Sequence, residues 1–272
     1  MQMTFLGSAA AEGIPFPYCD CATCVHARKY KGKNIRKRCS YMINDDFVID
    51  AGPDLFAACA LHDVNLLNVS YMAITHSHLD HFFIQNLKLR SKHFRQGTDL
   101  PNMTFVGGPS TMTKLNQSGS KDVDMGIERV PLLPYETVDL GRYHLKSVRA
   151  THFPAVGDAM NFIIDDGDKK LMIASDTGLY RDEVWEHLQD EKVDMIIIEA
   201  TKGELPSNIV HMNIEDVEQS LEKMKEIGAI TDKTKIYATH FGHQHCPPHE
   251  ELSNILDAKG ITCVYDGLQV TL

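Results

Sequence analysis

Short apolar runs recur along the chain and are cut by turn-forming residues. In the first half, Met3–Leu6, Tyr41–Ile43, Phe47–Ile49, Tyr71–Ile74 and Met103–Val106 predict strands. In the second half, Leu145–Val148, Asn161–Ile164, Lys170–Ala174, Met195–Ile198, Lys235–Ala238 and Thr262–Tyr265 do so. Helical periodicity is scarcer, over Asp80–Leu89, Arg181–Leu188, Ile214–Ile227 and His249–Ala258. Asn213, followed by Ile-Glu-Asp, offers an N-cap with acids in the first turn, which suits the helix dipole. The polar stretch Asn116–Met125 is expected to be a mobile loop. Strands lead and helices follow in each half. That order predicts two packed sheets with helices on the outer faces, an α/β fold. No sequence repeat, low-complexity tract or linker divides the chain. Its 272 residues are expected to form a single domain, 1–272.

Composition narrows the function. No apolar run is long enough to span a membrane. The first residues lack the basic and apolar regions of a signal peptide, so a cytoplasmic location is expected. The seven cysteines then sit in a reducing compartment. An odd count, with Cys19, Cys21 and Cys24 crowded together, favours metal over disulfides. A net charge of −10 makes nucleic acid an improbable partner. Arg28 to Arg38 runs the other way, with seven basic residues and no acid. Such runs usually form solvated loops. The functional reading is a rim facing phosphate or a partner.

The densest chemistry is Thr75-His76-Ser77-His78-Leu79-Asp80-His81, directly after the predicted strand Tyr71–Ile74. His76 and His78, two apart, can point the same way from an extended loop, with Asp80 and His81 opening the next helix. One turn can therefore offer two ligand pairs to two adjacent metals. Imidazole and carboxylate suit Zn, Mn or Fe, and no cysteine competes.

Here the chain resembles the metallo-β-lactamase superfamily, whose signature is H-x-H-x-D-H. The resemblance implies an αββα sandwich of two mixed sheets. It also implies further ligands at His152, Asp176 and His240, each at a predicted strand end. His76, His78 and His152 would hold one metal, and Asp80, His81 and His240 the other, with Asp176 as bridge. Taken singly, such a His or Asp is more often an ordinary surface or core residue. Joint order and spacing carry the assignment. Asp50 matches a family aspartate that supports the metal histidines, against the plainer reading of a turn residue.

Cys19-Asp20-Cys21-Ala22-Thr23-Cys24 can wrap one zinc ion with a fourth ligand from elsewhere. The cluster resembles that of the PhnP-type cyclic phosphodiesterases of phosphonate metabolism. That resemblance implies His243 as the fourth ligand, with His245 and Cys246 as close rivals. Such a closed site would be structural.

Two divalent cations, Zn or Mn, bring four positive charges. Asp80, Asp176 and a bridging hydroxide return three, which leaves about +1 and favours an anionic substrate. Paired metals can lower the pKa of water and place it as nucleophile. The expected reaction is hydrolysis of a small phosphodiester, cyclic or linear, by a metal-bound hydroxide, with Asp80 in the catalytic centre. His211 is the candidate general acid, because superfamily phosphodiesterases carry a histidine in a corresponding loop before a helix. The plainer reading is a surface histidine flanking that helix. Glu199 and Thr201 are expected to line the mouth without being catalytic.

The alternatives are a lactone, thioester or β-lactam hydrolase on the same fold, or a non-catalytic carrier resembling quinone-cofactor synthesis proteins. A transfer-RNA-processing nuclease would need an RNA-gripping arm and a larger basic face. A flavo-diiron relative would need Glu at position 78 and a flavin domain. A homodimer is compatible with the sequence, which does not fix oligomeric state.

Overall fold

The computed structural model describes residues 1–153 and 155–272. The first half runs β1 (Gln2–Gly7), α1 (Ala22–Tyr30), β2 (Ser40–Ile43), β3 (Phe47–Ile49), α2 (Leu55–Leu61), β4 (Tyr71–Ile74), α3 (Gln85–Lys88), β5 (Met103–Gly107), α4 (Pro109–Gln117), α5 (Asp122–Met125) and β6 (Ile127–Pro131). The second half runs β7 (Thr137–Leu140), β8 (Tyr143–Arg149), β9 (Met160–Asp165), β10 (Lys170–Ala174), α6 (Asp182–Leu188), β11 (Met195–Glu199), α7 (Ile214–Glu226), β12 (Lys235–Thr239), α8 (His249–Asp257) and β13 (Thr262–Cys263). The last strand, β14 (Gln269–Thr271), returns to the first sheet beside β1.

Each sheet has seven strands, ordered β14-β1-β2-β3-β4-β5-β6 and β13-β12-β11-β10-β9-β8-β7. Both begin as antiparallel meanders. Pairing turns parallel between β3 and β4 in one sheet and between β10 and β11 in the other. The two halves thus share a topology without a sequence repeat. The result is the αββα sandwich of two mixed sheets. One apolar cluster fills the space between the sheets and continues under α6, α7 and α8. A second lies between the first sheet and helices α2 and α4. Strand β11 is buried along its whole length, which explains its apolar run from Met195 to Ile198.

The α7 N-terminus forms as its sequence predicts. Asn213 Oδ1 accepts from the Asp216 amide at 2.8 Å, and Asp216 returns the bond to the Asn213 amide at 3.4 Å. Other expectations are corrected. The helix expected over Asp80–Leu89 shrinks to α3, because the Phe83 amide bonds to the Ala51 carbonyl, at 2.9 Å, and not to a helical partner. The stretch Asn116–Met125 holds the end of α4 and the whole of α5. Arg129 ties it down through Asp122, at 2.6 Å.

The basic run is only partly solvated, since residues 28–33 are exposed and residues 34–38 are buried or half-buried. It starts in the last three residues of α1, and its three arginines turn back on the protein. Arg28 donates to the carbonyls of Phe16 and Cys19, each at 2.7 Å. Arg38 pairs with Asp54 at 2.8 Å. Arg36 is buried, donates to Ser8 Oγ at 2.8 Å and lies over the Phe241 ring. Among the described residues, no helix is long and apolar enough to cross a membrane.

Candidate metal centre

The chemistry-bearing residues gather where the chain leaves its strands. Asp50 follows β3, His76 to His81 follow β4, His152 follows β8, Asp176 follows β10 and His240 follows β12. Binding at carboxyl ends of strands near a change of strand direction is a general property of open α/β sheets. Asp50, Asp176 and His240 all take left-handed backbone conformations, with φ of 60°, 55° and 59°. Each costs on the order of 1–3 kcal/mol and persists only where the surroundings enforce it.

The donor atoms of the expected ligands fall into two sets that share Asp176, and Glu199 and His211 also lie within reach of Asp176 and His240. In the first, His78 Nδ1 lies 3.0 Å from His76 Nε2 and 3.1 Å from His152 Nε2. Asp176 approaches His76 at 3.3 Å and His152 at 3.3 Å. In the second, His81 Nε2 lies 3.2 Å from both Asp80 and Asp176, and His240 Nε2 lies 3.8 Å from Asp176. Each set comprises four donor atoms within 4.8 Å of one another. His81 Nε2, His152 Nδ1, His240 Nε2 and Asp176 Oδ1 are buried without a hydrogen-bond partner. Buried polar atoms rarely go unpaired. Four such atoms converging on one place fit a divalent cation pair.

Supporting bonds set the ring tautomers. Asp50 Oδ2 accepts from His81 Nδ1 at 2.7 Å, which leaves Nε2 for ligation. The other oxygen, Oδ1, accepts from the Thr75 amide at 2.8 Å. Thr201 Oγ1 donates to the His240 carbonyl at 2.7 Å and accepts from Nδ1 of the same residue at 2.8 Å. This frees His240 Nε2. Gly52 permits the close approach of the Asp80 loop, since a Cβ there would lie 1.8 Å from the Asp80 carbonyl oxygen.

Electrostatics point the same way. Burial pushes His76 down to about 3, and His152 and His240 down to about 4, so all three rings are neutral. Burial would raise Asp176, but His240 and His76 beside it hold the carboxyl well below its usual range. Burial also opposes charge on His81, yet Asp80 and Asp50 outweigh it and hold the ring well above its ordinary value. A cation at His81 Nε2 would replace that proton.

His211 sits at the edge of the pair. Its Nδ1 lies 3.1 Å from Glu199 Oε1 and 3.3 Å from Asp176 Oδ1, which leaves Nε2 free. Burial would lower His211, but the hydrogen bond and charge of Glu199 hold it above its ordinary value. Glu199 does not line the mouth, as its sequence position suggests. It is fully buried and also accepts from the amides of Thr177 at 2.7 Å, Thr201 at 3.2 Å and Met212 at 3.2 Å. Its orienting role was missed in the sequence. The signal was a lone acid closing an apolar strand. Thr201 does line the cavity, which measures about 190 Å³ and also takes in His78, Asp80, His152, Asp176, His211 and His240.

The cysteines form a third set. His243 Nδ1 lies 3.6 Å from Cys21 Sγ and 3.5 Å from Cys24 Sγ, and Cys19 completes the group. The rivals point elsewhere. His245 Nε2 faces Lys202 Nζ at 3.3 Å, and Cys246 Sγ faces the Ala200 carbonyl at 3.5 Å. Burial would raise Cys21, but the hydrogen bond with His243 helps bring its thiol down to about 7. Burial pushes Cys24 up to about 12.

A family model for the beta-lactamase superfamily domain matches residues 46–241. Among solved structures, a diphosphatase from the PhnP family aligns with TM-score 0.76 and 21% identity, over 99% of this chain and 96% of that one. Zinc-bound PqqB from Methylobacterium extorquens aligns with TM-score 0.76 and 16% identity, over 100% of each chain. The short form of human tRNase Z aligns with TM-score 0.65 and 16% identity, over 100% of this chain and 99% of that one. No curated protein matches the chain.

Proposed function

Because the chain belongs to the beta-lactamase superfamily, we propose that this metal-dependent hydrolase is a phosphodiesterase for small anionic phosphodiesters, cyclic or linear. The observation that carries the proposal is His211. It is oriented through Nδ1 by Glu199, and it lines the cavity together with members of both His/Asp sets. Hydrolysis of a phosphodiester adds water to phosphorus and expels an alkoxide that needs a proton. His211 Nε2 supplies that proton, and Glu199 stabilises the charged ring before transfer. Asp80 and Asp176 bring only two negative charges to a site built for two divalent ions, so an anionic substrate is favoured. His76, His78, His152 and Asp176 hold one ion, and Asp80, His81, His240 and Asp176 the other. Zinc and manganese both suit these ligands. When bound, the ions supply charge to the phosphoryl group and activate water. The proposal includes a structural zinc on Cys19, Cys21, Cys24 and His243, a cytoplasmic location and a single domain. The similar fold of a PhnP-family diphosphatase supports phosphoryl chemistry.

The test is a substrate screen on protein loaded with zinc or manganese. Cyclic, linear and nucleotide phosphodiesters should turn over faster than a lactone, a thioester or a β-lactam. Preference for any of those three would overturn the reading.

A further inference from the structure

The mouth of the cavity has two chemically different walls. On the His240 side stand Lys202, Gln244, His245 and Glu12, all polar or charged. On the side of His78 and His152 stands Phe153, half exposed. Its ring centroid lies 5.2 Å from that of His152 and 6.0 Å from that of His78, at 76° and 63°. The ring therefore stacks on neither histidine, and it lines both this cavity and a second one that shares His152. Exposed apolar side chains also stand nearby in the chain. Leu79 separates two cavity residues, His78 and Asp80, and is 61% exposed. Ile209 lies two positions before His211 and is 76% exposed.

The His211 ring lies 5.9 Å from that of His152 and 5.8 Å from that of His240, so the candidate acid stands between the two walls. A phosphodiester carries two ester groups, and at the metal pair one of them faces Phe153. An open aromatic ring there suits a flat, apolar substituent, because stacking covers both surfaces. We propose that one ester group of the substrate carries an aromatic ring that packs on Phe153. This assignment rests on the phosphodiesterase reading.

The probes are two stable mimics of a phosphodiester anion, the monobenzyl and monomethyl esters of methylphosphonic acid. Calorimetry on metal-loaded protein gives their dissociation constants. The wild type should bind the benzyl ester more tightly. Phe153→Ala should cut the ratio of the two affinities roughly tenfold, the size of one aromatic stacking contact. Phe153→Tyr, which keeps the ring, should preserve the ratio. A ratio unmoved by Phe153→Ala, in protein that still hydrolyses phosphodiesters, overturns the role of Phe153 alone. Loaded wild-type protein that hydrolyses no phosphodiester overturns the functional reading and this assignment with it.

Discussion

Asp50→Asn tests the second ligand set without touching a ligand. Asp50 is fully buried. One oxygen accepts from the Thr75 amide at 2.8 Å and the other from His81 Nδ1 at 2.7 Å. Asparagine keeps the shape but turns one acceptor into a donor. The Thr75 amide cannot change its proton, so the new oxygen stays with it and the new NH₂ faces His81 Nδ1. Two donors then meet unless the imidazole shifts its proton to Nε2. That shift blocks the atom that ligation needs. Losing such a supporting partner weakens metal affinity ~10–100-fold, or roughly 1.4–2.7 kcal/mol. Titration with manganese against a competing chelator should find one exchangeable ion weakened by this factor. The ion on His76, His78 and His152 should change only a few-fold, through the shared Asp176. Unaltered affinity for both ions would refute the tautomer argument.

His211→Ala should lower turnover ~10²–10⁴-fold for an alkyl leaving group and far less for nitrophenolate, which departs without a proton. Equal losses on both substrates would remove His211 from the acid role, and loss of metal would make it a ligand. Cys21→Ala should release one zinc ion, measured by elemental analysis, and lower the melting temperature, because metal binding at such sites is coupled to folding. Zinc content equal to wild type would remove the structural site. Gly52→Ala forces a Cβ to within 1.8 Å of the Asp80 carbonyl. It should cost ~1–3 kcal/mol in chemical denaturation and reduce metal content, and wild-type values in both would contradict the close approach.

Much of the sandwich was legible because its central strands are short, apolar and bounded by turns. Met195–Ile198 and Lys170–Ala174 are read almost to the residue. The edges were not legible. Strands β6 and β7 carry too many polar residues to show a period, since only one side of each is covered. Helix α1 was hidden by its charge. It has no acid in its first turn and no side-chain cap, and it folds where it does because Cys24 and Ala27 are buried beneath it. The His76–His81 cluster announced itself by density. His152, Asp176 and His240 were each ambiguous alone, and only order along the chain joined them. Glu199 could not be recognised because its partners, Thr177, Met212 and His211, are distant in sequence.

Only part of the basic run is solvated. Its charge invites a surface role, yet its arginines brace the segment that serves two ligand sets at once. His240 ends β12 in a left-handed conformation, and His243 stands three residues on, against the cysteines. Between them, the Phe241 amide bonds to the Ser8 carbonyl at 3.1 Å, and the Ala10 amide bonds to the Phe241 carbonyl at 3.0 Å. Arg36 holds this junction from below, through Ser8 Oγ and the face of Phe241. Arg28 holds the cysteine loop through the Phe16 and Cys19 carbonyls. A guanidinium suits such work, because its forked donors satisfy several buried acceptors at once. The strained backbone of His240 is thus clamped on one side by Thr201 and on the other by the cysteine set. Its Nε2 stays aimed at Asp176 because both clamps hold. Cationic residues can therefore sit beside a cationic metal centre without facing it, and the sign of a run says little until its direction is known.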